Sequence, residues 1–207
     1  MEIEGELHNM LTEHGVIEEA EVILSHTLVS VHRLKAIIRA LDATMRVLGD
    51  TAEIGCRDGG VSRLIALVAQ RRHWACDTFQ GLVDVGEHDG ELYNGAFAAV
   101  TDPESYRHLC DLPNVEIVRG RFPESAPESM IDARFCLVHI DVDTYTSTLA
   151  AFEFFAPRMS KCGIIILDDV IGRGTAGAKR AWAELQEKPS RRWRVVEQND
   201  PQVVVSF

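Results

Sequence analysis

Apolar residues at Leu24, Leu28, Val31, Leu34, Ile38, Leu41, Met45 and Leu48 recur every three or four positions, the interval that places side chains on one face of a helix. The spacing predicts one amphipathic helix, or two in sequence, ending near Gly49. Beyond that glycine the period changes. Apolar runs of strand length follow at 51–56, 73–79, 115–120, 134–141 and 163–169. Helix-sized stretches lie at 62–71, 146–159 and 177–188, with weaker helical signals around 93–100 and 103–109. Such alternation makes a parallel sheet covered on both faces. The chain closes with "WRVVEQ" and "QVVVSF", separated only by "NDP". So short a link forces an antiparallel pair. The expected architecture is a doubly wound α/β fold with a seven-stranded, mostly parallel sheet and its last strand antiparallel. Residues 1–48 read as an N-terminal helical segment packed on the same domain, and 49–207 as the sheet domain.

Composition narrows the setting. A chain of 207 residues with 46% hydrophobic content can bury one full core. The formal net charge of −11 argues against nucleic acid, whose phosphates call for a basic face. Seven Glu and no Lys or Arg fall between Met1 and His32, which reads as a solvated acidic helix face. The basic group Lys188, Arg191, Arg192 and Arg194 reads as a solvated turn. Five cysteines show no C-x-x-C spacing, and Cys76 and Cys136 fall inside expected strands. There, reduced Cys behaves as a small apolar residue. With no signal peptide and no apolar run near about 20 residues, the expectation is a soluble, cytoplasmic protein with no membrane contact.

In open α/β sheets, ligands bind beyond the carboxyl ends of the strands, where the strand order reverses. "EIGCRDGGVS" stands at that place, after the first strand. Its glycines let the backbone approach a ligand, although the spacing E-x-G-x-x-x-G-G is not a dinucleotide fingerprint. Asp77 ends the second strand, 24 residues beyond Glu53, where a carboxylate can accept from both ribose hydroxyls of a nucleoside. The two features together point to nucleoside binding, and the acid disfavours a 2′-phosphate.

Acids also close the fourth and fifth strands, in "HIDVDTYTST" and "GIIILDDV". Asp141, Asp143, Asp168 and Asp169 then converge beside the Gly-rich turn, and no Lys or Arg adjoins either pair in sequence. Carboxylates packed together repel unless protons or a cation intervene. A hard divalent cation with oxygen ligands, Mg²⁺ or else Mn²⁺ or Ca²⁺, answers this economically. His139 lies two residues before Asp141, on the same face but one layer deeper, and reads as a satisfied core histidine.

The segments "GDTAEIGCRDGGVS", "DTFQGL", "NVEIVRGRFPES", "HIDVDTYTST" and "CGIIILDDV" carry a resemblance. In order and spacing this chain resembles the macrocin-type (TylF-like) sugar O-methyltransferases from about Gly49 to Val170. The resemblance implies a class I methyltransferase domain over 49–207 and transfer of methyl groups to deoxysugar hydroxyls. It implies S-adenosylmethionine along Glu53, Gly55, Gly59, Gly60 and Ser62, with Asp77 on its ribose and Gly120, Arg121 and Phe122 near its adenine. Phe79 and Asp141 complete the implied cofactor set. Mg²⁺ is implied on Asp141, Asp168 and Asp169. Departures include Arg57-Asp58, where relatives usually carry an apolar or aromatic residue, and Val142, where they usually carry Gly.

A sugar hydroxyl is too weak an acid to react unaided near neutral pH. A metal lowers its pKa and fixes its direction, and Asp143, beside the ligand Asp141, is the expected base. Vicinal hydroxyls chelate best, so the expected acceptor is a small molecule carrying a sugar diol or similar group. Two rival readings stand beside this one. A metal-dependent glycosyltransferase would use D-x-D, but leaves Asp77 and the Gly-rich turn without a role. A catalytically silent S-adenosylmethionine-binding subunit leaves the acidic quartet without one. The long N-terminal stripe suggests a homodimer or higher homo-oligomer.

Overall fold

All seven expected strands form in the computed structural model, which describes residues 5–98, 106–188 and 192–207. They are β1 (Asp50–Ile54), β2 (His73–Asp77), β3 (Val115–Arg119), β4 (Phe135–Ile140), β5 (Met159–Leu167), β6 (Arg194–Asn199) and β7 (Gln202–Ser206). One sheet holds them in the order β3-β2-β1-β4-β5-β7-β6. β7 is antiparallel to both β5 and β6, and the other pairings are parallel. Parallel neighbours need long crossovers. Here they are supplied by α4 (Gly60–Ala69), α5 (Arg107–Cys110), α6 (Glu128–Ile131) and α7 (Tyr145–Phe155). α8 (Ala176–Glu187) leads to β6. The chain runs outward from β1 to β3, then returns to lay β4 on the other side of β1. That reversal opens a crevice at the carboxyl ends of β1 and β4.

Period-two alternation divides the sheet's two faces. Val138, Ile140, Ile165 and Leu167 pack with Phe155, Ala178 and Trp182 of α7 and α8. Leu137, Ile164 and Ile166 pack on the other face, against α4 and the N-terminal helices. Those helices are α1 (Gly5–Glu13), α2 (Ala20–Ser25) and α3 (Val31–Thr44). The stripe read from Leu24 to Leu48 is therefore two helices separated by a short link. In that link the Thr27 hydroxyl accepts the Val29 N–H at 2.9 Å, and Ser30 occupies the N-cap position of α3 in extended conformation. Leu34, Ile38 and Leu41 of the stripe are buried in the chain's own core, while Leu28, Met45 and Leu48 are 64%, 66% and 86% exposed.

The acidic segment is more than a solvated face. Leu7 and Leu11, one turn apart on α1, are buried, and each such leucine contributes about 1.5–3 kcal/mol. Glu6 meets Lys35 at 2.6 Å and Glu19 meets Arg63 at 2.7 Å, so part of the acidity is spent on pairing with α3 and α4.

The helical signals between β2 and β3 fare differently. Residues 93–98 form turns rather than helix, and 99–105 lie outside the described residues. Only the single turn α5 forms beyond them. Lys188 pairs with Glu153, and Arg191 of the same basic group lies outside the described residues. Among the described residues no helix is long and apolar enough to cross a membrane.

Candidate active site

A cavity of about 320 Å³ fills the crevice at the switch point. Glu53, Gly55, Asp77, Asp141, Asp143 and Asp169 all line it, drawn from the ends of four adjacent strands. The strand ends are aligned by backbone ladder bonds. The Asp141 N–H donates to the Ile54 carbonyl at 2.9 Å, and the Asp168 N–H to that of Ile140 at 2.8 Å. Gly55 has φ +90°, and a Cβ there would lie 1.9 Å from the Asp141 carbonyl oxygen. Only glycine lets the turn after β1 close against the loop after β4.

Gly59 and Gly60, also expected at the cofactor, are not among the residues that line the cavity. A Cβ on Gly60 would lie 2.4 Å from the Ile23 carbonyl, and one on Gly59 2.6 Å from the Leu109 side chain. They let α4 pack against α2 and α5. Ser62 is buried, with its hydroxyl donating to Glu53 Oε2 at 2.5 Å, so it orients Glu53 rather than facing the cavity.

Asp77 stands at the β2 end of the cavity. Its Oδ2 accepts the Arg57 N–H at 2.8 Å and its Oδ1 the Phe79 N–H at 2.6 Å. Burial raises its pKa, and these two N–H groups oppose the rise. Phe79 contributes its backbone. Its ring is buried and packs on Tyr106 at 4.4 Å between centroids. Gly120 and Phe122 line the cavity. Arg121 does not; its guanidinium pairs with Asp84 at 2.5 Å and also with Glu124.

The carboxylates at the β4–β5 end are not equivalent. Both Asp168 oxygens are committed. Oδ1 accepts from Arg33 Nη1 at 2.9 Å and the Asp169 N–H at 3.0 Å. Oδ2 accepts from Gln202 Nε2 at 2.9 Å and faces His139 Nε2 at 3.4 Å. Burial alone would raise the Asp168 pKa, but His139 and Arg33 bring it down to about 2. His139 is the satisfied core histidine expected, and its Nδ1 meets Glu53 Oε1 at 2.9 Å. Burial opposes its charge, yet hydrogen bonds to Asp168 and Glu53 raise its pKa to about 10.

Asp143 and Asp169 sit in left-handed backbone conformation, at φ +61° and +57°. Among side-chain-bearing residues Asp tolerates this region better than most, and such strain concentrates at functional sites. Burial and the charges of Asp169 and Asp168 push Asp143 up to about 7. Asp141 is driven well up, by burial first and then by Asp168 and Asp143. Ligand atoms of Asp141, Asp143 and Asp169 all lie within 4.8 Å of one another, as do those of His139, Asp141 and Asp168. The trio implied by the resemblance, Asp141 with Asp168 and Asp169, is divided between these two groupings.

Sequence reasoning missed Arg33. It arrives from α3, 135 residues before Asp168, and also approaches Asp169 at 3.6 Å. The expectation that no cation adjoins the aspartates thus holds along the chain but fails in space. One signal for it exists. Arg33 falls four residues before the buried Ile37, on the apolar side of α3, where an unpaired guanidinium would be costly. Thr27, Leu28 and Val29 of the α2–α3 link also line the cavity, a role that nothing in their composition announces.

Residues 19–191 match the family model described as macrocin O-methyltransferase (TylF). The chain belongs to this family. The match starts at the end of the acidic segment, so it includes α2, α3 and Arg33 and stops short of β6. Among curated relatives, the 8-demethyl-8-(2,3-dimethoxy-alpha-L-rhamnosyl)-tetracenomycin-C 4'-O-methyltransferase of Streptomyces olivaceus is 29% identical over 70% of this chain and 63% of its own length. The demethyldecarbamoylnovobiocin O-methyltransferase of Streptomyces niveus is 28% identical over 70% of this chain and 62% of its own. The chain thus spans less than two thirds of the length of these two relatives. Among solved structures, the O-methyltransferase NovP shares the fold with a TM-score of 0.72 and 24% identity, covering 87% of this chain and 81% of its own. The seven-stranded sheet of this TylF-family member, with its reversed last strand, is that of the class I methyltransferases.

Proposed function

We propose that the chain transfers a methyl group from S-adenosylmethionine to a hydroxyl of a sugar, or of a similar diol, on a natural-product acceptor, with Mg²⁺ at its carboxylates. The observation that carries this reading is one cavity with two chemically distinct ends. Asp77 and backbone amides form one end, and Asp141, Asp143 and Asp169 the other. Family membership supports it, as do two relatives named for O-methylation of a rhamnosyl tetracenomycin and of demethyldecarbamoylnovobiocin.

S-adenosylmethionine, when bound, supplies an electrophilic methyl carbon. Each Asp77 oxygen accepts one backbone N–H and keeps a lone pair, which suits the two ribose hydroxyls. Gly55 keeps the backbone between cofactor and acceptor free of a side chain. At the far end Asp143 accepts the proton of the acceptor hydroxyl.

The donor set fits a hard cation, because it is made of carboxylate oxygens. Two fixed cations, Arg33 and His139, face five carboxylates there, Glu53, Asp141, Asp143, Asp168 and Asp169. Mg²⁺ is commonly held by one or two carboxylates together with waters and substrate, a requirement that Asp141 and Asp169 meet. The cation would polarise and orient the acceptor oxygen. Asp168, with both oxygens taken, holds Arg33 and the Asp169 backbone in place. Five free cysteines support a reducing compartment such as the cytoplasm. Exposed Met45 and Leu48 are the part of the N-terminal stripe left for a homo-oligomer contact.

The test supplies methyl-labelled S-adenosylmethionine and MgCl₂ with either of two glycosides, the rhamnosyl tetracenomycin or demethyldecarbamoylnovobiocin. Label should pass to a glycoside, fall about tenfold or more in EDTA, and return with Mg²⁺. Cofactor binding without transfer to either would overturn this acceptor class. Transfer undiminished in EDTA would overturn the cation.

A further inference from the structure

One wall of the cavity is a loop whose polar anchoring the chemistry above leaves unused. Leu82 and Val83 at its start and Phe97 just beyond its end face the cavity. Its base is zipped shut. The Leu82 N–H donates to the Ala96 carbonyl at 2.8 Å, and the Gly95 N–H to that of Leu82 at 2.9 Å. Of the charged side chains between these ends, Asp89 alone is buried, at 2% exposure. Its Oδ2 accepts the Gly86 N–H at 2.7 Å, within the loop. Its Oδ1 accepts the Tyr145 N–H at 2.7 Å, at the first residue of α7. A Cβ on Gly177, in the first turn of α8, would lie 1.7 Å from that same oxygen. The carboxylate therefore sits against the N-terminal turns of two helices, of 11 and 12 residues. Free N–H groups and the helix dipoles both favour negative charge there. The His88 ring packs edge-on against Tyr145, with centroids 4.6 Å apart.

The same two helix starts carry Asp143. α7 begins two residues after it, and Thr175, the N-cap of α8, donates its hydroxyl to the Asp143 carbonyl at 2.6 Å. Asp89 thus joins the loop wall to the frame of the proposed base. We propose that Asp89 is a positioning residue for the acceptor, a latch that docks loop 82–96 on α7 and α8 and so fixes the width of the acceptor end of the cavity. Its consequence for turnover rests on the methyl-transfer reading. The latch itself does not.

Two variants of the full chain approach the latch from opposite sides. Asp89→Asn keeps the side chain's shape but turns one acceptor into an amide donor that faces an N–H. Gly177→Ala keeps the Asp89 side chain but places a Cβ 1.7 Å from its Oδ1 and 2.6 Å from the Tyr145 backbone nitrogen, and so wedges the carboxylate off the start of α7. Hydrogen–deuterium exchange should quicken about tenfold or more at loop amides 84–96 and at Tyr145, the ratio for losing one hydrogen bond to a charged acceptor. Exchange in β1 and β4, and S-adenosylmethionine affinity by calorimetry, should stay within about twofold of the parent. With whichever glycoside is methylated, the acceptor KM should rise about tenfold while the cofactor KM holds. Unchanged loop exchange in both variants would overturn the latch, as would a general rise across the sheet or an equal loss of cofactor affinity. If neither glycoside is methylated, the proposed acceptor class fails and the exchange measurement still decides the latch.

Discussion

The two ends of the cavity share one sheet edge but hold their charges by different means. At the β2 end, Asp77 is served by two backbone N–H groups from residues 57 and 79, both on turns at the carboxyl edge next to its own strand end. At the β5 end, Asp168 is served by Arg33 of α3, His139 of β4, Gln202 of β7 and a single neighbouring N–H. Burial leaves Asp77 with a raised pKa, whereas the side-chain network drives Asp168 down to about 2. Every residue but proline keeps a backbone donor, so the first arrangement tolerates change elsewhere in the chain. The second depends on helix, sheet centre and sheet reversal all being in place. A site assembled this way ties catalytic geometry to the completed fold.

Three substitutions would break or sharpen that contrast. The largest effect is expected from Asp143→Asn, which removes the proposed base. Turnover should fall about 10²–10⁴-fold, with S-adenosylmethionine affinity unchanged because Asp77 lies at the other end. Full turnover in steady-state assays would remove Asp143 from the chemistry.

Arg33→Met should act on stability. It strands Asp168, whose side chain is wholly buried, and the cost is about 3 kcal/mol, the lower end for breaking a buried pair, because the other donors remain. A urea titration would show this as a lower midpoint, and an unchanged midpoint would mean that His139 and Gln202 suffice. The smallest effect belongs to Asp77→Ala. Losing hydrogen bonds to a charged group should weaken S-adenosylmethionine binding by about 1.5–3 kcal/mol, or tenfold to a hundredfold. The denaturation midpoint should fall as well, because the Arg57 and Phe79 N–H groups lose their acceptor. Calorimetry showing full affinity would place the cofactor elsewhere.

Much of this was written in the chain itself. Apolar runs of strand length fixed seven strands, and the three-residue "NDP" link forced the reversed one, because so few residues cannot cross over a sheet. The position of Asp77 at a strand end, and of four aspartates closing two more, followed from local pattern alone. The division of labour among those residues did not. Gly59, Gly60 and Ser62 read as cofactor contacts, and in the fold none of them lines the cavity; their neighbours are Leu109, Ile23 and Glu53. Asp168 and Asp169 are neighbours in sequence, and tertiary contacts made one a saturated anchor and left the other lining the cavity. Arg33 reaches the site, and Asp89 the helix starts beside it, from segments that carry no motif. Strand and helix periodicity is a property of neighbouring residues, so the sequence determines it directly. Which oxygen keeps a free lone pair depends on donors tens of residues away, and only the folded chain brings them within hydrogen-bonding reach.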